Sequence, residues 1–91
     1  MATREQVLER PKQAEAVQEA HRLVLYNDDF NTFDWVIECL VKVCDHTVEQ
    51  ADQCAHIVHY NGKCVVKSGP LDEMVERKRA LEERGLTAVV Y

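Results

Sequence analysis

Three acceptor-bearing residues in a row, Asn27, Asp28 and Asp29, stand where an aliphatic run has ended and a helical pattern has not yet begun. Two chemistries suit such a group. Asn and Asp side chains in a loop commonly accept from nearby backbone N–H groups and cap the following helix. The same oxygens, left facing outward, make a small acceptor-rich site for a cation such as an ammonium, whose three donors want acceptors in fixed geometry. His59 is the second element of interest, three residues after His56. Together with Cys54 this pair raises two further readings, a metal site and a thiol nucleophile paired with a histidine base. The metal reading lacks a further ligand pair, and no CxxC occurs among Cys39, Cys44, Cys54 and Cys64, so no metal or cofactor is expected. No Gly-rich phosphate loop, HExxH or nucleophile elbow is present, and Cys54 and Cys64 fall on expected core faces, where thiols are usually inert. No catalytic residue is evident, and the loop-capping and cation-binding readings both stay open at this point.

The composition narrows the ligand. The chain has 91 residues, enough for one compact domain, and 46% of them are hydrophobic. Its formal net charge is −5, from 16 acidic and 11 basic residues, which disfavours nucleic acid and suits a cationic ligand. The first stretch, Met1 to Ala20, is charged throughout and has no apolar centre of a signal peptide, and no run approaches the roughly 20 apolar residues of a membrane helix. A cytoplasmic protein with reduced thiols, away from membranes, is the expectation.

The elements that must position these residues can be read along the chain. Residues 1–20 carry few apolar side chains and no stripe, and are expected to be a flexible arm ahead of a folded domain at 21–91. His21–Tyr26 reads as a strand, and the Asn27–Thr32 loop leads into a helix at about Phe33–Cys44, capped by Thr32 or Asn31. Thr47 with Gln50 fits a capping box for a second helix, whose buried face is expected to hold Val48, Ala51, Ala55, Val58 and Cys54 or Ile57. Gly62 supplies its left-handed stop. A strand at Lys63–Lys67, a turn at Gly69-Pro70, a helix at Leu71–Arg84 and a strand at Leu86–Tyr91 complete the order β-α-α-β-α-β. This is an α+β domain, a small three-stranded antiparallel sheet packed against three helices.

Two runs carry a resemblance. Leu23–Val36 (LVLYNDDFNTFDWV) is similar to the first signature of the ClpS family, a strand followed by Asn-Asp-Asp-aromatic and a helix start. Val58–Lys63 (VHYNGK) is similar to its second, Val-His-aromatic-x-Gly-Lys, and Glu73, Glu76 and Lys78 resemble its charged helix surface. The resemblance covers about residues 21–90. It implies an N-end rule adaptor that binds proteins with N-terminal Leu, Phe, Tyr or Trp and delivers them to a ClpA- or ClpC-like AAA+ unfoldase and its peptidase. Carried over by position, Asn27 and His59 would bond the substrate α-amine, Asp28 the adjoining peptide backbone, and Asp29 would help order the loop. Asn31, Phe33, Val36, Ala55 and Val58 would line the side-chain pocket, with Leu86 or Thr87 closing it, and Glu73, Glu76 and Lys78 would dock the unfoldase.

The chain departs from the family at the pocket. Ala55 and Phe33 stand where Met is common, and Asn31-Thr32 replaces a common Thr-Pro. A roomier rim at Ala55 implies that aromatic first residues are tolerated at least as well as Leu, with some leakage toward Ile or Val. A thiol enzyme, and a ribosome-associated module sharing the fold, are the alternatives.

Overall fold

The computed structural model describes residues 20–91, so the arm expected at 1–20 lies, but for Ala20, outside the described residues. Strand β1 (His21–Tyr26) is central, with β2 (Lys63–Gly69) and β3 (Thr87–Val90) antiparallel on either side in the order β2-β1-β3. Leu23 and Leu25 alternate to one face of β1, where they are fully buried beneath helices α1 (Phe33–Cys44), α2 (Val48–Asn61) and α3 (Leu71–Glu83). Ala88 and Cys64 flank Leu25 from the two neighbouring strands, and Leu40, Met74 and Leu81 close the core from α1 and α3. The β-α-α-β-α-β order and the one-faced packing agree with the sequence pattern.

Local chemistry explains the element ends. The Thr32 hydroxyl accepts from the Trp35 N–H at 3.1 Å and starts α1. The capping box of α2 is complete, with Gln50 N–H donating to the Thr47 hydroxyl at 3.1 Å and Thr47 N–H to the Gln50 side chain at 3.3 Å. Gly62, at φ 93°, ends α2 in the left-handed region where a Cβ would be strained. The end of α1 had no such signal in the sequence. Asp45 takes the left-handed position there, at φ 59°, and Arg77 of α3 reaches across to it, 3.3 Å from its carboxylate, while donating to the Val43 carbonyl and pairing with Glu73 at 2.9 Å.

Other expectations are corrected. Val48 and Ile57 are exposed, so α2 buries Ala51, Ala55 and Val58 alone, a narrow seam of small side chains with Cys54 half-buried beside it. Leu71 is half exposed at the start of α3, β2 runs on to Gly69, α3 stops at Glu83, and β3 starts one residue late at Thr87. His46, unremarked in the sequence, is buried. Pairing slips between Leu23 and Val24, which face Lys67 and Val65, so Val66 has no cross-strand partner. The His46 Nε2–H donates to the Val66 carbonyl at 2.7 Å and so fastens the α1–α2 turn to this bulge. His46→Ala should leave that carbonyl without its partner and lower stability by roughly 1–3 kcal/mol, measured by urea unfolding.

Candidate functional site

Two backbone connections build the site. The Asn27 N–H, one residue past β1, donates to the Gly62 carbonyl at 2.9 Å, which holds the loop against the end of α2 where His59 sits. Within the loop, one Asp28 oxygen accepts from the Phe30 N–H at 2.8 Å and the Asn31 N–H at 2.9 Å, and the other accepts from the Asn31 side-chain amide at 2.8 Å. Partial burial pushes the Asp28 carboxyl up, but these bonds from the Asn31 side chain and from the Asn31 and Phe30 N–H groups outweigh it and hold the group below its ordinary value. Asn31 also donates to the Gly85 carbonyl at 3.0 Å, and the Trp35 indole to the Arg84 carbonyl at 3.0 Å, so the loop is tied to the α3–β3 connection as well.

The result is a cavity of about 300 Å³ between the loop, the start of α1 and α2. Asn27, Asp28, Asp29, Asn31, Phe33, Val36, Ala55, Val58 and His59, nine of the residues singled out in the sequence, line it, joined by Thr32, which the sequence marked only as a cap. Ala55 and Val58 are buried in its wall, while Asn27, Asp29 and His59 are exposed at its edge. Among the described residues the side chains of Asn27, Asp29 and His59 make no hydrogen bond. Their acceptors are available, whereas those of Asp28 are largely engaged by the loop itself. The His59 ring instead rests edge-on between Phe33, at 5.2 Å, and Tyr60, at 4.8 Å.

The remaining residues lie elsewhere. Leu86 is buried behind the cavity, on a small void of about 20 Å³ that shares Asn27, Asp28, Asn31, Val36 and Val58 with it. Thr87 is exposed opposite Tyr26 on β3 and lines neither space. Glu73 and Glu76 face a groove between α1 and α3, Glu73 paired with Arg77. Lys78 lies roughly 140° from Glu73 and roughly 160° from Glu76 round α3 by helical geometry, paired with Glu82 at 2.7 Å, so the three do not form one patch. Among the described residues, no helix is long and apolar enough to cross a membrane, and no three His, Cys, Asp or Glu side chains converge as for a metal. Burial, then the neighbouring Cys64 thiol, pushes Cys54 up to about 12, far from the thiolate a nucleophile needs.

A cavity with acceptors at its edge and an apolar wall is suited to holding a small ligand. The profile of the ATP-dependent Clp protease adaptor protein ClpS matches residues 16–89, and the chain belongs to the ClpS family. It is an adaptor and not an enzyme. It is 38% identical over 68 residues to the ATP-dependent Clp protease adapter protein ClpS of Nostoc sp., covering 74% of this chain and 70% of that one. It is 35% identical to the ClpS of Thermosynechococcus vestitus over 68 residues, 74% of this chain and 72% of that one. The solved structure of Agrobacterium tumefaciens ClpS2 bound to L-phenylalaninamide shares the fold, with a TM-score of 0.74 at 20% identity over 80% of this chain and 95% of that one.

Because the Asp28 carboxyl is held below 3.8 when folded, its contribution to stability is fully present above that pH and is lost as pH falls through its lowered value. A carboxyl NMR titration should place its midpoint under 3.8. Asp28→Ala should cost roughly 1–2 kcal/mol at pH 7 and much less near pH 2.

Proposed function

We propose that the cavity captures the free N-terminus of proteins whose first residue is Leu, Phe, Tyr or Trp, so that the adaptor can deliver them to a Clp AAA+ unfoldase. The observation that carries this reading is the pairing of available acceptors on Asn27 and His59 with the apolar wall of Val36, Ala55 and Val58 in one cavity of about 300 Å³. An ammonium bonded at the edge places the first side chain toward that wall, where transfer of apolar area favours large side chains. Asp29 adds negative charge at the edge and draws the cation. Asp28 contributes by holding the loop in place. It does so through its bonds to Phe30 and Asn31, beside the contact with the peptide backbone expected of it from the cavity lining. The phenylalaninamide bound by the Agrobacterium relative is a free amine joined to a bulky apolar side chain, the same two features. The cytoplasm is the proposed setting.

Fluorescence anisotropy with peptides that differ only at residue one, each with a free or acetylated amine, tests the reading. Acetylation of a Leu or Phe peptide should weaken binding at least tenfold, since losing a hydrogen bond to a charged group costs about 1.5–3 kcal/mol. Asn27→Ala and His59→Ala should each weaken the free-amine peptide comparably without changing circular dichroism. Ile should bind measurably, and Ala55→Met should suppress it. Equal affinity for free and acetylated peptides would overturn the proposal.

For delivery, Glu73 and Glu76 are the proposed unfoldase contacts on α3, because both face the groove beside α1; Lys78, on the other flank, would contribute from a separate surface. Glu76→Ala should reduce capture of the unfoldase in a pulldown and leave peptide binding intact. Loss of peptide binding instead would mean that α3 supports the pocket and not the partner.

A further inference from the structure

Beside its polar edge the cavity has an aromatic flank, of which amine capture engages His59 and leaves His56 and Tyr60 unused. The Phe33 ring meets two imidazoles of α2 edge-on, His56 at 4.9 Å and 83° and His59 at 5.2 Å and 74°. Tyr60 extends the cluster, 4.8 Å from His59 and near-parallel to His56 at 6.3 Å and 22°. Phe33 and His59 belong to the cavity, while His56 and Tyr60 stand outside it, exposed, Tyr60 by 76%. Core packing does not explain an aromatic ring left that open, and an ordinary solvated helix face has no need of four contiguous rings.

The His56 ring is also held in place. Its Nδ1–H donates to the Asp52 carbonyl at 2.9 Å, and an Asp52 carboxylate oxygen lies 3.5 Å away. A carbonyl oxygen only accepts, so Nδ1 carries the proton and the ring is fixed one turn before Tyr60. At about 100° per residue, α2 turns Ala55 and Val58 inward, His59 to the edge, and His56 and Tyr60 just beyond it. A peptide anchored by its amine at Asn27 and His59, with its first side chain toward Val58, can leave over this edge, where its next side chain would pass the exposed rings.

We propose that His56 and Tyr60, with the outer edge of Phe33, form a subsite for the second residue of the substrate, favouring aromatic side chains there. The subsite rests on the amine-capture reading and extends it from one residue to two. Phe33 links the two, being a wall of the first pocket and the contact partner of His56 in the second.

The test uses free-amine peptides with Leu first and Gly or Trp second, titrated against the full chain and against the double variant His56→Ala, Tyr60→Ala. Both side chains are exposed, so the variant should fold, which circular dichroism checks. Trp at position two should bind about three- to tenfold more tightly than Gly, the effect of one aromatic contact, and the ratio should fall to about one in the double variant with Gly-peptide affinity kept. Equal affinities in the native chain, or a ratio that survives the double variant, overturn the subsite while the dependence on a free amine stands. Equal weakening of both peptides in the variant also overturns it, because the rings would then act on the first residue through His59. If acetylation has no effect on the Leu-Gly peptide, amine capture fails and the subsite fails with it.

Discussion

Two N–H groups of the backbone and one side-chain amide converge on the Asp28 carboxylate, and the geometry of the site depends on that convergence. Hydrogen bonds to an ionised acceptor are stronger than neutral ones, and these close a tight turn at the point where β1 must hand over to α1. Asn31, held by Asp28, reaches Gly85, so the same turn fixes the distance between the loop and the start of β3. Asn27 and Asp29, on either side, can then keep their side chains for a ligand, because the loop does not need them. A loop built instead from several weak contacts would have spent those acceptors on itself.

The helices serve the cavity through the small size of what they bury. Helix α2 packs with Ala51, Ala55 and Val58, and this thin seam lets it approach the sheet while Ala55 leaves room in the cavity wall. Phe33 enters from α1 and meets two histidines of α2, so part of the volume surrendered at Ala55 is bordered by a planar ring. Apolar depth and polar edge thus come from different elements, the depth from helix packing and the edge from a loop and one helix end. Stability is supplied away from the cavity, by Leu23, Leu25, Leu40, Met74 and Leu81, and by Arg77, which joins α3 to the end of α1.

Much of this was legible in the chain itself. Hydrophobic period, the Thr47–Gln50 capping box, Gly62 and the Gly69-Pro70 turn are local signals, set by neighbours within about four residues, and they determined the element order and the ends of α2. The Asn27–Asp29 and His56–His59 groups were visible as candidates for the same reason, since residue type and spacing are properties of sequence. Their meeting depends on a loop and a helix end separated by some thirty positions, joined through the Asn27 N–H and the Gly62 carbonyl, and no local signal announces that contact.

Tertiary structure decided what local pattern left open. It gave Asp28 to the loop and left Asp29 at the edge, a choice between chemically identical groups that depends on which oxygen reaches which N–H. It ended α1 at Asp45 in a left-handed turn without glycine, because Arg77, thirty-two positions later, stands beside the carboxylate. It buried His46 against a bulge that exists only once β1 and β2 pair, and it exposed Val48 and Ile57, which helical spacing alone had counted as core. It also brought Phe33 against two histidines of α2. The contacts of Asp45, His46 and Phe33 each turn on a partner distant in sequence, and periodicity carries no information about such a partner: it specifies which way a side chain points along its own element, and the packing of the elements determines what it meets.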